Sequence, residues 1–236
     1  MIKRILVSDE HKFTMVWNAK CACATSKVWF LNAHNVFDWS YSPHEEVGKG
    51  NYGLNDIQDL DESPYNNYYK FMVVRNPWRR LVSYYVNKKV IMRHKNLNFH
   101  IENGNSSYSG DMTFTDLVNF LTKIPSGNRE DHVESFFYGG KNIKFDKIVK
   151  VENYAEDMKE VERSLNIDVG LNFKEYYHQP PSPYSNSSEN VFDKKPDSFD
   201  NDNIPSYEHF YNDDLINKVG KIYEDDIKLY NYKFED

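Results

Sequence analysis

Apolar residues along the chain fall into short blocks, and the blocks alternate between a strand-like and a helix-like rhythm. Phe13 to Trp17 is a continuous run of strand-forming residues. The loop Asn18-Ala19-Lys20-Cys21-Ala22-Cys23-Ala24 follows, and Thr25 is placed to cap a helix running through Ser26-Lys27-Val28-Trp29-Phe30-Leu31. The same rhythm returns at Tyr69 to Arg75, a second predicted strand. Asn76-Pro77 stops it, because proline cannot continue a central strand but suits the first turn of a helix. Trp78 to Met92 then predicts an amphipathic helix, with Leu81, Tyr84, Tyr85 and Val90 spaced for one buried face.

Further on, the pattern predicts helices over Phe114 to Leu121 and Tyr154 to Leu165, and a strand over Ile143 to Val151. Asp213 to Tyr230 reads as one closing amphipathic helix. The polar stretches between them predict loops: 35–67 around a short helix near Leu54 to Leu60, 94–112 as a mobile loop, and 176–206 as an extended one. No internal repeat is present. Strands alternating with helices predict an α/β architecture: a three-layer, P-loop-like fold with a mostly parallel central sheet flanked by helices. The 236 residues suit a single domain spanning 1–236.

Composition changes this picture only in places. Hydrophobic residues at 39% support a globular core, while a mean hydropathy of -0.78 requires much polar loop. The 16% aromatic content reads first as core packing and only second as a sugar-stacking surface. The net charge of -7 argues against nucleic acid as a partner. It is unevenly spread, however: residues 1–100 carry 14 Lys and Arg against 9 Asp and Glu, and the remainder 15 against 27. A basic N-terminal part suits a small anionic ligand. The two cysteines, Cys21 and Cys23, are too close for a relaxed disulfide and have no His or Cys neighbours to complete a zinc site. The apolar run at the N-terminus is too short for a signal peptide or membrane anchor, so the expectation is a soluble, cytoplasmic protein that engages no membrane. Against that background the sequons at Asn105 and Asn186 carry little weight.

Two constellations carry chemistry. A strand-loop-helix junction presents free backbone N–H groups and the positive end of the helix dipole to an anion. At the first junction Lys20 adds a charge, Thr25 and Ser26 add hydroxyls, and Ala22 and Ala24 allow close approach. The loop lacks the glycines of a nucleotide-triphosphate cradle, and its lysine precedes the turn. At the second junction Arg75 ends a strand, where open α/β sheets bind ligands, and Ser83 lies eight residues later on the following helix. An arginine fork with an added hydroxyl is suited to a phosphomonoester. Each junction alone is also compatible with a purely structural role; two in one order are harder to explain that way.

These segments resemble the PAPS-dependent carbohydrate sulfotransferases, of the chondroitin type (sulfotransferase family 2). The run from Asn18 to Ser26 is similar to their 5′-phosphosulfate loop, Pro-Lys-x-x-Cys-Thr-Ser/Asn, with Ala19 in place of the proline and Ala24 preceding Thr25. Phe71 to Tyr85 resembles their 3′-phosphate segment, Phe-Val-Arg-Asp/Glu-Pro-x-x-Arg-Leu-Val-Ser-Ala-Tyr. Asp131-His132 resembles an Asp-x-His/His-Trp region, Asp146 to Asn153 an Asp-x-Ile-x-Lys-x-Glu-Asn segment, and Ile222 to Tyr232 the family's C-terminal tail. The Golgi members' N-terminal anchor has no counterpart in this sequence.

The resemblance implies transfer of a sulfuryl group from 3′-phosphoadenosine 5′-phosphosulfate (PAPS) to an acceptor hydroxyl on a carbohydrate or small molecule, leaving PAP and requiring no metal. Lys20, Cys21, Ala22, Cys23, Ala24, Thr25 and Ser26 are then expected around the 5′-phosphosulfate, with Lys20 also catalytic. Arg75 and Ser83 are expected at the 3′-phosphate. The base is expected to be His44, with His132 second and Glu45 or Glu46 as carboxylate substitutes, while His34 reads as structural. The competing readings are a P-loop-type nucleotide or small-molecule kinase and a non-catalytic anion- or glycan-binding module. Acceptor identity and oligomeric state are not encoded in any motif.

Overall fold

In a computed structural model, the described residues are 5–37, 42–49, 52–54, 60, 64–93, 96–101, 104–109, 111–136, 143–172, 184–185 and 189–236. They form two compact units. Met1–Arg75 with Gly139–His178 make the first, and Asn76–Tyr138 with Gln179–Asp236 the second.

The first unit is built on a five-stranded sheet. Strand β1 (Ile5–Ser8) pairs antiparallel with β2 (Phe13–Val16) and with β3 (Gly53–Leu54). Strand β4 (Tyr69–Val74) lies parallel to β2 on one side and to β7 (Lys147–Lys150) on the other. The order β3-β1-β2-β4-β7 therefore leaves four strands pointing one way and β1 alone reversed. The mostly parallel sheet flanked by helices is thus present. Helix α1 (Cys23–Ala33) follows β2, and α5 (Tyr154–Leu165) follows β7.

Aromatic packing fixes α1 on the sheet. Phe13 of β2 sits 5.5 Å from Trp29 and 5.8 Å from both Phe30 and Phe71. Trp29 meets Phe71 edge-on at 5.7 Å, and all four rings are fully buried. Losing one such ring to alanine costs about 3–5 kcal/mol. Two polar ties add α5 to the assembly: Trp29 Nε1 donates to Glu162 at 2.8 Å, and the hydroxyls of Ser26 and Tyr154 bond at 2.9 Å. His34, just past the end of α1, uses both ring nitrogens internally, on the Phe30 carbonyl and the Ser8 hydroxyl. It is structural, as expected.

In the second unit, α3 (Pro77–Tyr85) runs on through a wider π-helical segment, Val86–Ile91, where the Met92 N–H reaches the Asn87 carbonyl. Helix α4 (Phe114–Leu121) starts on a complete capping box between Thr113 and Asp116. Tyr85, Phe114, Phe199 and Phe210 build the aromatic core here. No helix among the described residues is long and apolar enough to cross a membrane.

Several expectations need correction. Helix α1 begins at Cys23 with Ala22 as its N-cap, so Thr25 lies inside the first turn and is not the N-cap. Residues 94–112 were expected as loop, but β5 (Asn96–Ile101) and β6 (Gly104–Ser109) form an antiparallel hairpin. The alternation of Leu97, Phe99 and Ile101 is the strand signal there. Within 35–67 a helix, α2 (Pro43–Lys49), precedes β3, while most of the helix expected near Leu54 to Leu60 lies outside the described residues. Strand β1 is a further element, formed by the short apolar run near the N-terminus. Strand β7 covers only the second half of Ile143 to Val151. The predicted extended loop holds a two-residue parallel bridge of β8 (Tyr184–Ser185) and β9 (Ile204–Pro205). The closing helix is two, α6 (Asp213–Ile222) and α7 (Glu224–Tyr230). Tyr223 separates them: its ring is buried and its hydroxyl donates to the Val133 carbonyl at 2.7 Å, a tertiary demand that overrides local helix propensity.

Asn76 explains how α3 is started. Its Oδ1 accepts from the N–H groups of Trp78 and Arg79, while its Nδ2 donates to the Lys233 and Asp236 carbonyls at 2.7 and 3.3 Å. An aspartate would keep the cap but bring a carboxylate oxygen against two carbonyls. Asn76→Asp is therefore expected to destabilise the protein by about 1–3 kcal/mol despite preserving the cap, read as a lower midpoint in thermal or urea unfolding.

Candidate functional site

Parallel neighbours β2 and β4 end at the same edge of the sheet, with Val16 opposite Met72. The loop 17–22 leaves β2 at that edge, and Arg75 leaves β4. Crevices outside the carboxyl ends of parallel strands are where open α/β sheets take ligands.

The loop is tightly wound. Cys21 N–H donates to the Asn18 carbonyl at 3.2 Å, and the Cys21 thiol lies 3.5 Å from the Ala19 carbonyl. Lys20 and Ala22 both adopt left-handed backbone, at φ 64° and 52°. A side chain in that region costs about 1–2 kcal/mol per residue, a strain that glycine avoids. This loop therefore has left-handed turns without the residue that makes them easy. Left-handed residues beside right-handed ones turn successive N–H groups into a concavity that suits an anion. The first turn of α1, Cys23, Ala24 and Thr25, adds helix-end N–H groups, and no side chain caps them.

Arg75 joins the two junctions. Its Nη1 donates to the Lys20 carbonyl at 3.0 Å, so the strand-end arginine braces the loop from below. Its Nε is buried with no hydrogen-bond partner among the described residues, and so is Nε1 of Trp17 at the start of the loop. A buried donor left without an acceptor costs about 1–3 kcal/mol. Both are donors, and both belong to the segments expected to hold an anion. The fit of these residues to a phosphate or sulfate group rests on that observation.

Other expected residues are placed differently. The hydroxyl of Ser26 is fully buried and spent on Tyr154, a tie between α1 and α5 and not a face of the loop. Ser83 is half-buried on α3 and belongs to the second unit, as does His132, whereas Lys20, Arg75 and His44 belong to the first.

The two histidines have opposite surroundings. His44 is exposed on α2, with Nδ1 2.8 Å from Lys27 Nζ. An ammonium only donates, so beside charged Lys27 this Nδ1 accepts and the proton sits on Nε2. In that state the outer nitrogen of His44 offers an N–H and no lone pair. His132 is the reverse. Both Nδ1 and the backbone N–H of His132 contact the Glu130 carboxylate, which only accepts. The Nδ1 proton is thereby fixed and Nε2 of the neutral ring keeps its lone pair, the orientation a base requires. The Tyr84 ring stands 6.0 Å away.

Lys27 and Glu130 are the residues that sequence reasoning missed. Lys27 is one helical turn beyond Cys23, only 4% exposed, and held 3.5 Å above the centre of the Trp17 ring. Burial pushes its ammonium down from 10.5 to about 8, and Cys23 opposes the shift. A lysine at i+4 from a loop-end residue, and a carboxylate two residues before a histidine, were the signals available. Among the described residues no group of three or more His, Cys, Asp and Glu side chains gathers as a metal site.

A family model described as "Sulfotransferase family" matches residues 3–233. No curated protein and no solved structure matches the chain.

The Lys27 geometry carries a stability prediction. Because folding lowers its pKa from 10.5 to about 8, the unfolded chain binds more protons between those values. Stability from this group is therefore lost as pH falls through about 8 and is fully present only above the unfolded value. Lys27→Met removes a buried charge that pairs with no carboxylate among the described residues. It is expected to raise stability at pH 7 by about 1–3 kcal/mol and to flatten the rise in unfolding midpoint from pH 8 upward.

Proposed function

The chain belongs to the sulfotransferase family, and from that membership we propose that it transfers a sulfuryl group from PAPS to a hydroxyl, with a carbohydrate as the favoured acceptor. The observation that carries the reading is the brace between Arg75 and the Lys20 carbonyl. It joins the two segments that resemble the family's 5′- and 3′-phosphate elements and leaves an arginine Nε still seeking an acceptor.

When bound, PAPS supplies the activated sulfuryl group. The strained loop and the first turn of α1 would receive its 5′ end through backbone N–H groups, with Lys20 holding the negative charge that grows on the bridging oxygen. Arg75 would take the 3′-phosphate with its free edge while keeping the Lys20 carbonyl in place, and Ser83 would add a hydroxyl. His132 is our choice of base, in preference to His44. Glu130 holds its Nδ1 proton, so Nε2 can accept the proton of an acceptor hydroxyl.

The direct test is incubation with ³⁵S-labelled PAPS and a panel of glycans, small alcohols and phenols. Label on a sugar hydroxyl is the expected product. Label on no acceptor, with PAP bound tightly, would turn the assignment to a binding module, and Mg²⁺-dependent phosphate transfer from ATP would turn it to a kinase. Arg75→Ala should weaken PAP by about tenfold more than it weakens an analogue lacking the 3′-phosphate. The analogue should weaken as well, because the loop loses its brace. Calorimetry with both ligands reads the two losses separately, and equal losses would remove Arg75 from the 3′-phosphate.

For the base, His132→Ala should lower turnover by about 10²–10⁴ with PAP affinity near wild type. Glu130→Gln should lower turnover too, because an amide can donate to Nδ1 and thereby free the wrong tautomer. Loss of turnover in His44→Ala with His132→Ala silent would reverse the choice.

A further inference from the structure

Beneath the α1 loop lies a cation that the proposed chemistry does not use. Lys27 projects from the second turn of α1, and helical side chains lean back toward the N-terminus. That lean takes Nζ to the ring of Trp17, where the loop begins, and into the electrostatic reach of Cys23, where the helix begins. The groups facing it are Cys23 from its own helix, the Trp17 ring from the loop, and His44 Nδ1 from α2. Glu45 and Glu46 stand beside His44 on α2, yet neither forms an ion pair with Lys27 among the described residues. A neutral imidazole and an aromatic face can orient an ammonium, but neither neutralises it. Buried cations are ordinarily paired with an anion.

We infer that Lys27 is a proton-linked charge for the anion loop: it takes up a proton from solvent when a phosphate or sulfate group binds there, and His44 is the acceptor that holds its ammonium in place. The inference rests on the loop being an anion site, which is the proposed reading of it. In the ligand-free protein burial has already lowered the ammonium's pKa to about 8, so that it loses its proton in mildly alkaline solution. An opposite charge nearby shifts an ionisable group by about 1–3 pH units toward its charged form, which would return Lys27 to full protonation at mildly alkaline pH. The balance is simple: Lys27 Nζ gains one proton from water or buffer, and the bound anion supplies the counter-charge. No bond of the ligand changes. Lys27 acts through its field and not by contact, so it is a positioning charge and not a catalytic residue. The arrangement also gives His44 a role other than base.

The test is titration calorimetry of PAP at pH 8 in two amine buffers of different ionisation enthalpy. The phosphomonoesters of PAP, with second pKa values of about 6, do not titrate there. Wild type should take up about half a proton, since Lys27 is near its midpoint at that pH. Its affinity should fall as pH rises above about 8, by up to about tenfold per pH unit. Lys27→Met should abolish the uptake and bind about tenfold more weakly at pH 7. Lys27→Arg, charged throughout, should bind with an affinity that stays flat from pH 7 to 9. Identical heats in the two buffers for wild type, or uptake that survives in Lys27→Met, would overturn the inference.

A second arm separates this inference from the donor assignment. Side-chain NMR of Lys27 is followed through pH with and without inorganic sulfate, which does not titrate in this range. A midpoint raised by sulfate, with no binding of PAP, keeps the proton linkage and removes PAPS as the donor. PAP binding with an unmoved midpoint does the opposite. No effect of either anion overturns both.

Discussion

One hydrogen bond organises the candidate site: Arg75 Nη1 on the Lys20 carbonyl. It adds a side-chain tie between the end of β4 and the loop after β2 to the register of their strands. With it, the guanidinium fixes the peptide that follows a left-handed lysine, and the position of Lys20 becomes a property of the sheet. The same side chain keeps a buried Nε in need of an acceptor. A lysine in that place could supply one charge but not a fork that braces a carbonyl with one edge and offers another to a ligand. The neighbouring residue performs a separate task. Asn76 starts α3 with its oxygen and holds two C-terminal carbonyls with its nitrogen. The family's usual aspartate or glutamate at this point could do only the first of these.

What could be read from the sequence follows from how local each signal is. Strands β2 and β4 and helices α3, α4 and α5 declare themselves through period and punctuation, because apolar spacing and Asn-Pro or Thr-x-x-Asp starts act within a few residues. The start of α1 does not, because its cap is a backbone conformation at Ala22 with no side-chain bond. Thr25 looked like a cap because its residue type is suited to one. The hairpin of β5 and β6 was hidden by the opposite error: polar, glycine-bearing sequence suggested loop, although every second residue of one arm was apolar. The break at Tyr223 depends on Val133, ninety residues away, and no local rule contains it.

The site divides in the same way. Lys20 and Arg75 could be named because strand ends and loops have a known relation to ligands. The roles of the histidines could not, because they depend on which group each Nδ1 meets. His44 meets a donor in Lys27 and His132 an acceptor in Glu130, so the two rings present opposite outer nitrogens from the same residue type. Position along the sequence carries no information about that.

The energetic character of the loop gives the strongest argument for a ligand. Elsewhere in the described structure, several demanding groups satisfy one another. Thr113 and Asp116 satisfy one another at the start of α4, and Glu134 accepts from Ser126, Gly127, Arg129 and Ser135. Around residues 17–27 the opposite holds. Two non-glycine residues are left-handed, and among the described residues two buried donors, Trp17 Nε1 and Arg75 Nε, have no acceptor and the buried Lys27 pairs with no carboxylate. Each of these lowers stability, and a sequence free to change would relieve several of them with one glycine or one methionine. All the polar ones have the same sign: they are donors or cations in want of negative charge. Unmet donors gathered at the carboxyl edge of a parallel sheet, beside the N-terminus of a helix, are what a site built around an anion leaves in the protein alone.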